Sequence, residues 1–530
     1  MGFASATFAL ASGIGFYFTV RSYVTRRRKP LPPGPRGLPL VGNVFDVPKT
    51  QEWLAFMEMA RKYDSDIISL NLAGDTVIIL NSLSAVDALL EDKSAIYSDR
   101  PPFPMLNDLV GFHWHLAFMR YGPRWKGECS RHYLSSRSST TIFPEHRKVL
   151  MQQFQPSAVL LHRPVELEAA RALLQRLLDS PAKYEKHFRH MAGRIILSTA
   201  YGIDVLPEDD PHIDISEKAL HAMACTGNRG SFLVDSLPFL KHVPEFFPGT
   251  GFKKQAREWS KVVDAMPHVP YDFVKKARAA GTAKSSIASR VLDEIEENSG
   301  DDQSQQDQEL VLRNSLSTCY GTVSSLGTFI LAMTMYPEVQ KKAQAAVDEV
   351  VGRVFGGRLP DFQDNIPYID AVVHEVLRWR TVVPLGVSHA VTQDDVYKGY
   401  LIPAGAVVVP NTWAILYDEL TYGPHTDQFI PERWLTEDGK INPEIRDSTP
   451  AFDFGRRICP VRYHMAQWSV WISAASIRTT FDISKSIDEK GVLIEPSGEY
   501  TLGLICYPIP HQCDILPRSE AARALIQGGV

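Results

Sequence analysis

Apolar residues recur along most of the chain at the spacing of amphipathic helices, and they alternate with polar residues only over short stretches. Alternation over residues 66–82 predicts a β-hairpin that turns at residues 74–75. Short strand-like runs return at residues 399–411 and 500–510, and the polar stretch 296–309 predicts a solvated loop before the next long helix. The pattern therefore predicts a mainly α-helical fold with small β-sheets and no internal repeat.

The first hydrophobic run, residues 3–20, carries no charge. As a helix it would reach roughly 27 Å, nearly the thickness of a bilayer core. Arg21 and the basic run 26–29 follow it, which argues against a cleaved signal peptide and places the rest of the chain on the cytosolic side. We predict one transmembrane helix within residues 1–25. An amphipathic helix on the membrane surface is the alternative, because Ser, Thr and Gly dilute the run.

A basic, proline-rich segment, residues 26–43, follows the predicted anchor and favours a stiff hinge, since proline fixes φ and lacks an amide donor. Residues 44–530 then form one predicted domain. Within it, residues 127–144 are rich in Ser and Thr and break the helical pattern on either side. Composition alone makes that stretch an ordinary surface loop.

Charge and cysteine content exclude several classes of protein. A formal net charge of -5 over 530 residues indicates neither a nucleic-acid-binding surface nor a polyacidic partner. The six cysteines are too sparse and irregular for a disulfide framework or a paired zinc site, and they favour a reducing compartment.

One cysteine stands in a distinctive setting, the stretch AFDFGRRICPVRYHMAQWSVWIS of residues 451–473. A thiolate needs nearby positive charge and hydrogen-bond donors, and Arg456, Arg457 and the flexible backbone at Gly455 are suited to supply them. A long amphipathic run follows. From these residues alone, Cys459 is either a metal ligand or a small apolar residue of the core.

Other motifs accompany this cysteine in a fixed order. Glu375 and Arg378 share one helix face in HEVLRWR, the tetrapeptide PERW occupies residues 431–434, and a Phe-x-x-Gly-x-Arg-x-Cys motif spans residues 452–459. In this order and at these intervals, the chain resembles the cytochrome P450 superfamily of haem-thiolate monooxygenases, in particular its membrane-anchored fungal members. The likeness runs from the predicted anchor to residues 478–483 and so covers nearly the whole chain.

The resemblance implies a cytochrome P450-like fold and a haem b whose iron takes Cys459 as its axial thiolate. It also implies that Glu375, Arg378 and Arg433 form a buried structural network of charges behind the haem. Its further implications are an NADPH-dependent reductase as electron donor, an apolar small-molecule substrate, no nucleic acid, and a single-pass location in the endoplasmic reticulum membrane with a cytosolic catalytic domain.

Haem propionates need cations, and the resemblance assigns this role to Arg457 and His389, although His389 is also compatible with an ordinary core or surface position. The family's Trp-x-x-x-Arg helix would supply a further cation for the propionates. Trp125 fits its first position, and the required arginine appears as Arg147 once residues 127–144 are set aside. We therefore predict that residues 127–144 are an insertion that loops out between Trp125 and Arg147.

The central helix departs from the family pattern Ala-Gly-x-Asp/Glu-Thr. Residues 314–333 match its second half from Thr322 onward, and Thr322 is the candidate catalytic hydroxyl. No acid precedes it: Tyr320 and Gly321 stand where the acid and hydroxyl would be, or several residues have been lost. Uncoupled oxygen reduction is the physical expectation, because protons would no longer be directed to the reacting oxygen.

Two further departures surround the cysteine, since Asp453 and Val461 occupy positions that are often glycine in the family. Val461 risks overpacking near the porphyrin, at a cost of about 1 to 3 kcal/mol. Three functions therefore remain open: a monooxygenase, a haem-thiolate enzyme that uses peroxides or catalyses rearrangements, and a catalytically impaired haem-binding variant.

Overall fold

The structure, a computed structural model, describes residues 29–39, 41–48, 50–121, 146–228, 230–298, 301–318, 323–352 and 358–528. The predicted anchor (residues 1–25), the predicted insertion (residues 127–144), Trp125 and Thr322 lie outside these ranges. Among the residues described, no helix combines the length and the apolar character that crossing a bilayer requires.

Helices dominate the structure, as the hydrophobic pattern predicts. The α-helices of the described residues are, in chain order, α1 (Glu52–Lys62), α2 (Leu83–Val86), α3 (Ser94–Tyr97), α4 (His146–Gln153), α5 (Pro156–Val159), α6 (Arg163–Asp179), α7 (Tyr184–Ile196), α8 (Pro211–Thr226), α9 (Leu233–Ser236), α10 (Gly251–Ala279), α11 (Ile287–Asn298), α12 (Asp302–Leu316), α13 (Val323–Met335), α14 (Pro337–Val351), α15 (Pro367–Trp379), α16 (Thr412–Leu416), α17 (Glu419–Tyr422), α18 (Trp468–Thr480) and α19 (Glu520–Gly528).

Several of these helices begin at a proline, whose fixed φ suits the first helical turn and whose missing amide proton is not needed there. In α8, Asp210 adds a side-chain cap by accepting hydrogen bonds from the amides of His212 and Ile213. Shorter helical segments of other types include Asp87–Glu91, which packs beside the cysteine loop, and the 3₁₀ turns Pro431–Trp434 and Gly455–Arg457.

The strands are β1 (Ile67–Leu72), β2 (Asp75–Leu80), β3 (His389–Ala390), β4 (Asp395–Tyr397), β5 (Tyr400–Ile402), β6 (Val407–Pro410), β7 (Phe481–Lys485) and β8 (Cys513–Pro517). They form one four-stranded sheet in the order β1-β2-β6-β3 and two antiparallel pairs, β4-β5 and β7-β8. In the larger sheet β2 pairs with β6 in parallel, while β1 and β3 are antiparallel to their neighbours. The small sheets agree with the sequence prediction.

The first hairpin turns one residue earlier than predicted. Leu72 pairs with Asp75, and the two residues between them, Ala73 and Gly74, have φ of 52° and 105°. A two-residue turn with both φ positive matches the right-handed twist of the strands. Gly74 is therefore a turn residue as predicted, whereas Asp75 already belongs to β2.

Two further sequence expectations are wrong. Most of residues 296–309 is helical, because α11 continues to Asn298 and Asp301 caps α12 by accepting from the Ser304 amide at 2.7 Å. In residues 500–510 the structure has a single isolated bridge between Tyr500 and Pro508 rather than a strand.

Helices α13 and α18 lie at the centre of the main apolar core. Every residue from 324 to 334 and from 469 to 480 is buried, so neither helix has a solvent-facing side in these stretches. Helix α18, which follows the cysteine loop, packs against α6, α14, α15 and α13. A helix buried on all sides needs mostly apolar or small residues, as α13 and α18 have, and the exception in α18 is the buried Arg478, which donates to Gln340.

The described part of the predicted hinge packs against β1 of the larger sheet and against β5 of the β4-β5 pair. The Ser69 amide donates to the Pro33 carbonyl at 2.9 Å, and the Leu401 amide donates to the Pro30 carbonyl at 2.7 Å. Gly34 passes so close to β1 that an added Cβ would lie 2.0 Å from the Ser69 carbonyl oxygen. The proline segment thus lies along the domain surface and fixes where the chain enters it.

Candidate functional site

Cys459 lies in the loop that leads into α18, where two 3₁₀ turns, Thr449–Phe452 and Gly455–Arg457, fold the chain back on itself. The Cys459 amide donates to the Phe452 carbonyl at 2.9 Å, closing this cysteine loop. The side chain of Cys459 is half-buried and forms no disulfide. A thiol on a partly open, hydrogen-bonded loop is suited to bind a metal centre.

Gly455 anchors the cysteine loop on the segment Asp87–Glu91. Its φ is 55°, and an added Cβ would lie only 2.1 Å from the Leu90 carbonyl oxygen. Its amide donates to Oε1 of Glu91 at 2.8 Å. Both the backbone conformation and the close approach require glycine here, which gives the motif glycine a structural reason.

Arg147, on α4, lies against the same loop. Its Nη1 donates to the carbonyl of Ile458, the residue before Cys459, at 2.7 Å. The structure therefore brings the guanidinium group of Arg147 to the cysteine loop. Trp125, its predicted partner, lies outside the described residues, so the pairing of Trp125 with Arg147 stays a prediction.

Arg457 is buried and binds three backbone carbonyls. It donates to Ser98 at 2.7 Å, to Leu116 at 3.3 Å and to Met119 at 2.8 Å. Burial, together with the nearby charge of Arg100, lowers the pKa of Arg457 well below its ordinary value. Arg457 thus ties the cysteine loop to the segment around residues 98–119.

His389, on β3, is also buried, and it connects the sheet to the cysteine loop. Its Nδ1 lies 2.8 Å from the Tyr97 carbonyl, so this nitrogen carries a proton, and its Nε2 lies 2.9 Å from Oδ1 of Asp453. A proton must lie between Nε2 and that carboxylate oxygen. Burial lowers the pKa of His389, although the Asp453 carboxylate opposes that shift. His389 is therefore a partnered group of the interior rather than a surface residue.

Arg100 is a member of this site that the sequence analysis missed. Only 1% of its side chain is exposed. It donates to the carbonyls of Ala117 at 2.7 Å, Val387 at 2.6 Å and Ser388 at 3.1 Å, and its Nη2 donates to Oδ2 of Asp453 at 2.8 Å. No motif or periodicity surrounds Arg100 in the sequence, so only its burial marks it.

Asp453 therefore binds the guanidinium group of Arg100 and the imidazole of His389. Its Oδ1 also accepts from the amide of Phe454 at 3.0 Å. Burial would raise the pKa of Asp453, but the charges and hydrogen bonds of His389 and Arg100 outweigh burial and lower it to about 2. Asp453 is ionised at neutral pH, and it occupies hydrogen-bond donors of both Arg100 and His389.

A second cluster of buried charges confirms the predicted contact of Glu375, Arg378 and Arg433. Arg378 binds Glu375 through two hydrogen bonds of 2.8 Å, and Nε of Arg433 donates to the same carboxylate at 3.2 Å. The Trp434 indole and the Ile430 amide complete its shell, each at 2.9 Å. The Glu375 and Arg378 side chains are 0% exposed, so each charge depends on its partners.

Comparison with known proteins assigns the family. The cytochrome P450 family profile matches residues 32–485.

The chain belongs to the cytochrome P450 family.

Its relatives include fungal enzymes of similar length. The cytochrome P450 monooxygenase eriA of Hericium erinaceus is 42% identical over 94% of this chain and 91% of its own. The cytochrome P450 monooxygenase 98 of Postia placenta is 40% identical over 95% of this chain and 93% of its own. The tryptamine 4-monooxygenase of Psilocybe cyanescens is 38% identical over 95% of this chain and 96% of its own. The resemblance to this family drawn from the sequence motifs is confirmed.

Membership of the P450 family implies a haem held by a cysteine thiolate. The donor set of this chain fits that group. Cys459 supplies a half-buried thiol, and four basic side chains, Arg147, Arg457, His389 and Arg100, approach the cysteine loop or the segments bonded to it. A thiolate and haem carboxylates are anions that such cations stabilise.

The oxygen-activating part of the P450 site is less complete. Helix α12 ends at Leu316 and α13 begins at Val323, and the candidate hydroxyl of Thr322 lies outside the described residues. No Asp or Glu occurs between Glu309 and Glu338 in the sequence. The acid of the family's central helix is therefore missing from this stretch.

Val461, two residues after the cysteine, has an ordinary backbone conformation. Its φ and ψ are -101° and 6°, a conformation open to residues other than glycine, and its side chain packs against the main apolar core. The backbone at residue 461 does not require glycine.

Proposed function

We propose that this protein is a haem-thiolate monooxygenase that inserts one oxygen atom of O₂ into an apolar organic substrate, with electrons from an NADPH-dependent reductase. The observation that carries the proposal is the setting of Cys459, a half-buried thiol whose neighbouring carbonyl, that of Ile458, accepts a hydrogen bond from Arg147. Arg457, in the same loop, donates to the Ser98 carbonyl, and His389 binds Asp453 of this loop. Family membership supports the same chemistry.

Each residue has a distinct role in this proposal. When bound, haem would supply the redox chemistry of oxygen activation. Cys459 would ligate its iron as a thiolate, and Arg147, Arg457, His389 and Trp125 would hold its carboxylate groups and so fix its orientation. The buried network around Glu375 holds α15 to the segment Pro431–Trp434 and acts on the site only through the fold.

The proposed substrate is apolar because three segments bring apolar side chains together next to the cation site. Phe112 and Phe118, on the segment that follows Arg100, belong to one buried cluster with Leu504. Val387, whose carbonyl accepts from Arg100, packs against the same cluster. A small molecule bound beside these residues would be held mainly by apolar contact.

We expect proton delivery to the reacting oxygen to be inefficient. Thr322 is the proposed hydroxyl that passes a proton to the reacting oxygen, but no acid stands near it in the sequence. We therefore expect more NADPH to be consumed than product formed. The same observation favours a second candidate, a haem-thiolate enzyme that uses peroxide or rearranges its substrate, since peroxide already carries the protons and electrons.

The proposal includes a membrane location. Residues 1–25 would anchor the protein in the endoplasmic reticulum membrane with the catalytic domain in the cytosol, since the basic run 26–29 follows the apolar run. Residues 127–144 are proposed to loop out of the helix that carries Trp125 and Arg147. A variant without residues 127–144 should then keep or increase its haem content, and loss of haem would refute this part of the proposal.

Turnover measurements on the full-length protein distinguish the candidates. The monooxygenase proposal predicts NADPH consumption that depends on both reductase and substrate, with an oxygenated product below stoichiometric yield. Turnover with peroxide but not with NADPH would support the second candidate instead. A thiolate-type haem spectrum without either activity would leave a catalytically impaired haem-binding variant.

A further inference from the structure

Asp453 adopts a backbone conformation that favours glycine. Its φ is 73° and its ψ is -173°, a region that residues with a Cβ rarely enter. Such a conformation persists only where the surroundings hold the residue firmly. Here the surroundings are the hydrogen bonds from Arg100, His389 and the Phe454 amide to its carboxylate. The carboxylate and its partners therefore hold a strained residue in place.

The two side chains that hold Asp453 have no other carboxylate partner among the described residues. Arg100 otherwise donates to the carbonyls of Ala117, Val387 and Ser388, and His389 to the carbonyl of Tyr97. One carboxylate is thus the shared partner of a pair of side chains that are each 1% exposed. In the proposed function, His389 would also bind a haem carboxylate.

We propose that Asp453 competes with a haem carboxylate for Arg100 and His389, so that this chain holds haem less firmly than the same chain would with a neutral residue at position 453. The inference rests on the proposed haem-binding function. Two carboxylates brought to one pair of buried hydrogen-bond donors repel each other, and the one that is part of the chain is always present. Asp453 is therefore a determinant of haem retention rather than a catalytic residue.

The test compares three full-length variants with the wild type. Asp453→Asn removes the charge and keeps the strained position of a side chain, whereas Asp453→Gly removes both charge and strain. Asp348→Asn is the matched control, because Asp348 pairs with Arg518 at 2.9 and 2.7 Å at the C-terminal end of α18, away from the cysteine loop. Haem per chain and the rate of haem transfer to excess apomyoglobin are measured for each protein.

The proposal predicts that Asp453→Asn and Asp453→Gly both retain haem better, with transfer about tenfold slower, the effect of about one charge-assisted hydrogen bond. Asp348→Asn should match the wild type. A gain in Asp453→Gly alone would overturn the proposal, because backbone strain and not charge would then limit haem binding. No gain in either variant would overturn it as well.

A double-variant comparison tests whether the gain depends on Arg100. In an Arg100→Gln background, Asp453→Asn frees no guanidinium group. The substitution should then slow haem transfer little or not at all relative to the Arg100→Gln protein. An undiminished gain in that background would contradict competition for Arg100. If neither the wild type nor any variant held haem, both this inference and the proposed function would fail, whereas equal haem retention in all of them would overturn the inference alone.

Discussion

Glu375 and Asp453 are carboxylates that each bind two basic side chains in the interior, but their backbones differ. Glu375 lies on the regular helix α15, and its carboxylate accepts five hydrogen bonds from Arg378, Arg433, Trp434 and Ile430. Asp453 lies at a φ of 73° in the cysteine loop and accepts three, from Arg100, His389 and Phe454.

The difference shows how a similar charge cluster can support a fold in two ways. At Glu375, helix geometry and ion pairing favour the same arrangement, so the network adds to the stability of the fold. At Asp453, ion pairing holds a backbone that would be more relaxed with glycine. We expect substitutions in the Glu375 network to destabilise the fold. Some substitutions of Asp453 should be tolerated or should even improve haem retention.

The largest expected effect is that of Glu375→Ala. Removing the carboxylate leaves Arg378 and Arg433 buried without their anion, and we expect the free energy of unfolding to fall by about 3 to 5 kcal/mol. Urea unfolding followed by tryptophan fluorescence measures this loss. The matched control is Glu432→Ala, because Glu432 is in the same segment but pairs with the exposed Lys342. Equal losses in both variants would contradict the central place of Glu375.

The next effect concerns the anchoring of the cysteine loop. Gly455→Ala introduces a Cβ at positive φ against the Leu90 carbonyl, whereas Gly439→Ala does so at a φ of 75° with open space around it. We expect a loss of about 3 kcal/mol for Gly455→Ala and about 1 kcal/mol for Gly439→Ala. The same unfolding measurement gives both values. Similar losses would mean that the contact with Leu90 is unimportant.

The smallest effect is a pH dependence at Asp453. Its pKa in the folded protein is about 2, below the ordinary value of 3.8, so its ionisation stabilises the fold above about pH 4, and that stabilisation is lost as the pH falls towards 2. The difference in unfolding free energy between wild type and Asp453→Asn should change by about 2 kcal/mol between pH 5 and pH 2. Parallel urea titrations at several pH values measure it. A constant difference would show that Asp453 is not held ionised.

Residues of the site and the charge network that belong to sequence motifs could be predicted from the sequence. Residues outside motifs could not. Glu375, Arg378 and Arg433 come together as the ordered motifs indicated, and Arg147 and His389 reach the cysteine loop or its partner. Arg100 could not be found in this way, because its role depends on three carbonyls and a carboxylate far away in the sequence.

The errors in predicted secondary structure and burial have similar physical reasons. The polar stretch 296–309 is read as a loop by composition, but the side chain of Asp301 caps a helix within it. The run after Cys459 is read as amphipathic, whereas α18 is buried by five other helices, α6, α13, α14, α15 and α19. Capping is a property of single residues and burial is a property of the tertiary structure, so neither follows from average polarity.

The central claim is that Cys459 binds haem iron as a thiolate, and the reduced, carbon-monoxide-bound absorption spectrum tests it most directly. The account predicts a thiolate-type Soret band for the full-length protein and its loss in Cys459→Ser, because a serine hydroxyl is a harder and less acidic ligand. Cys225→Ser, at another half-buried cysteine, should keep the band. An unchanged spectrum in Cys459→Ser would contradict the account.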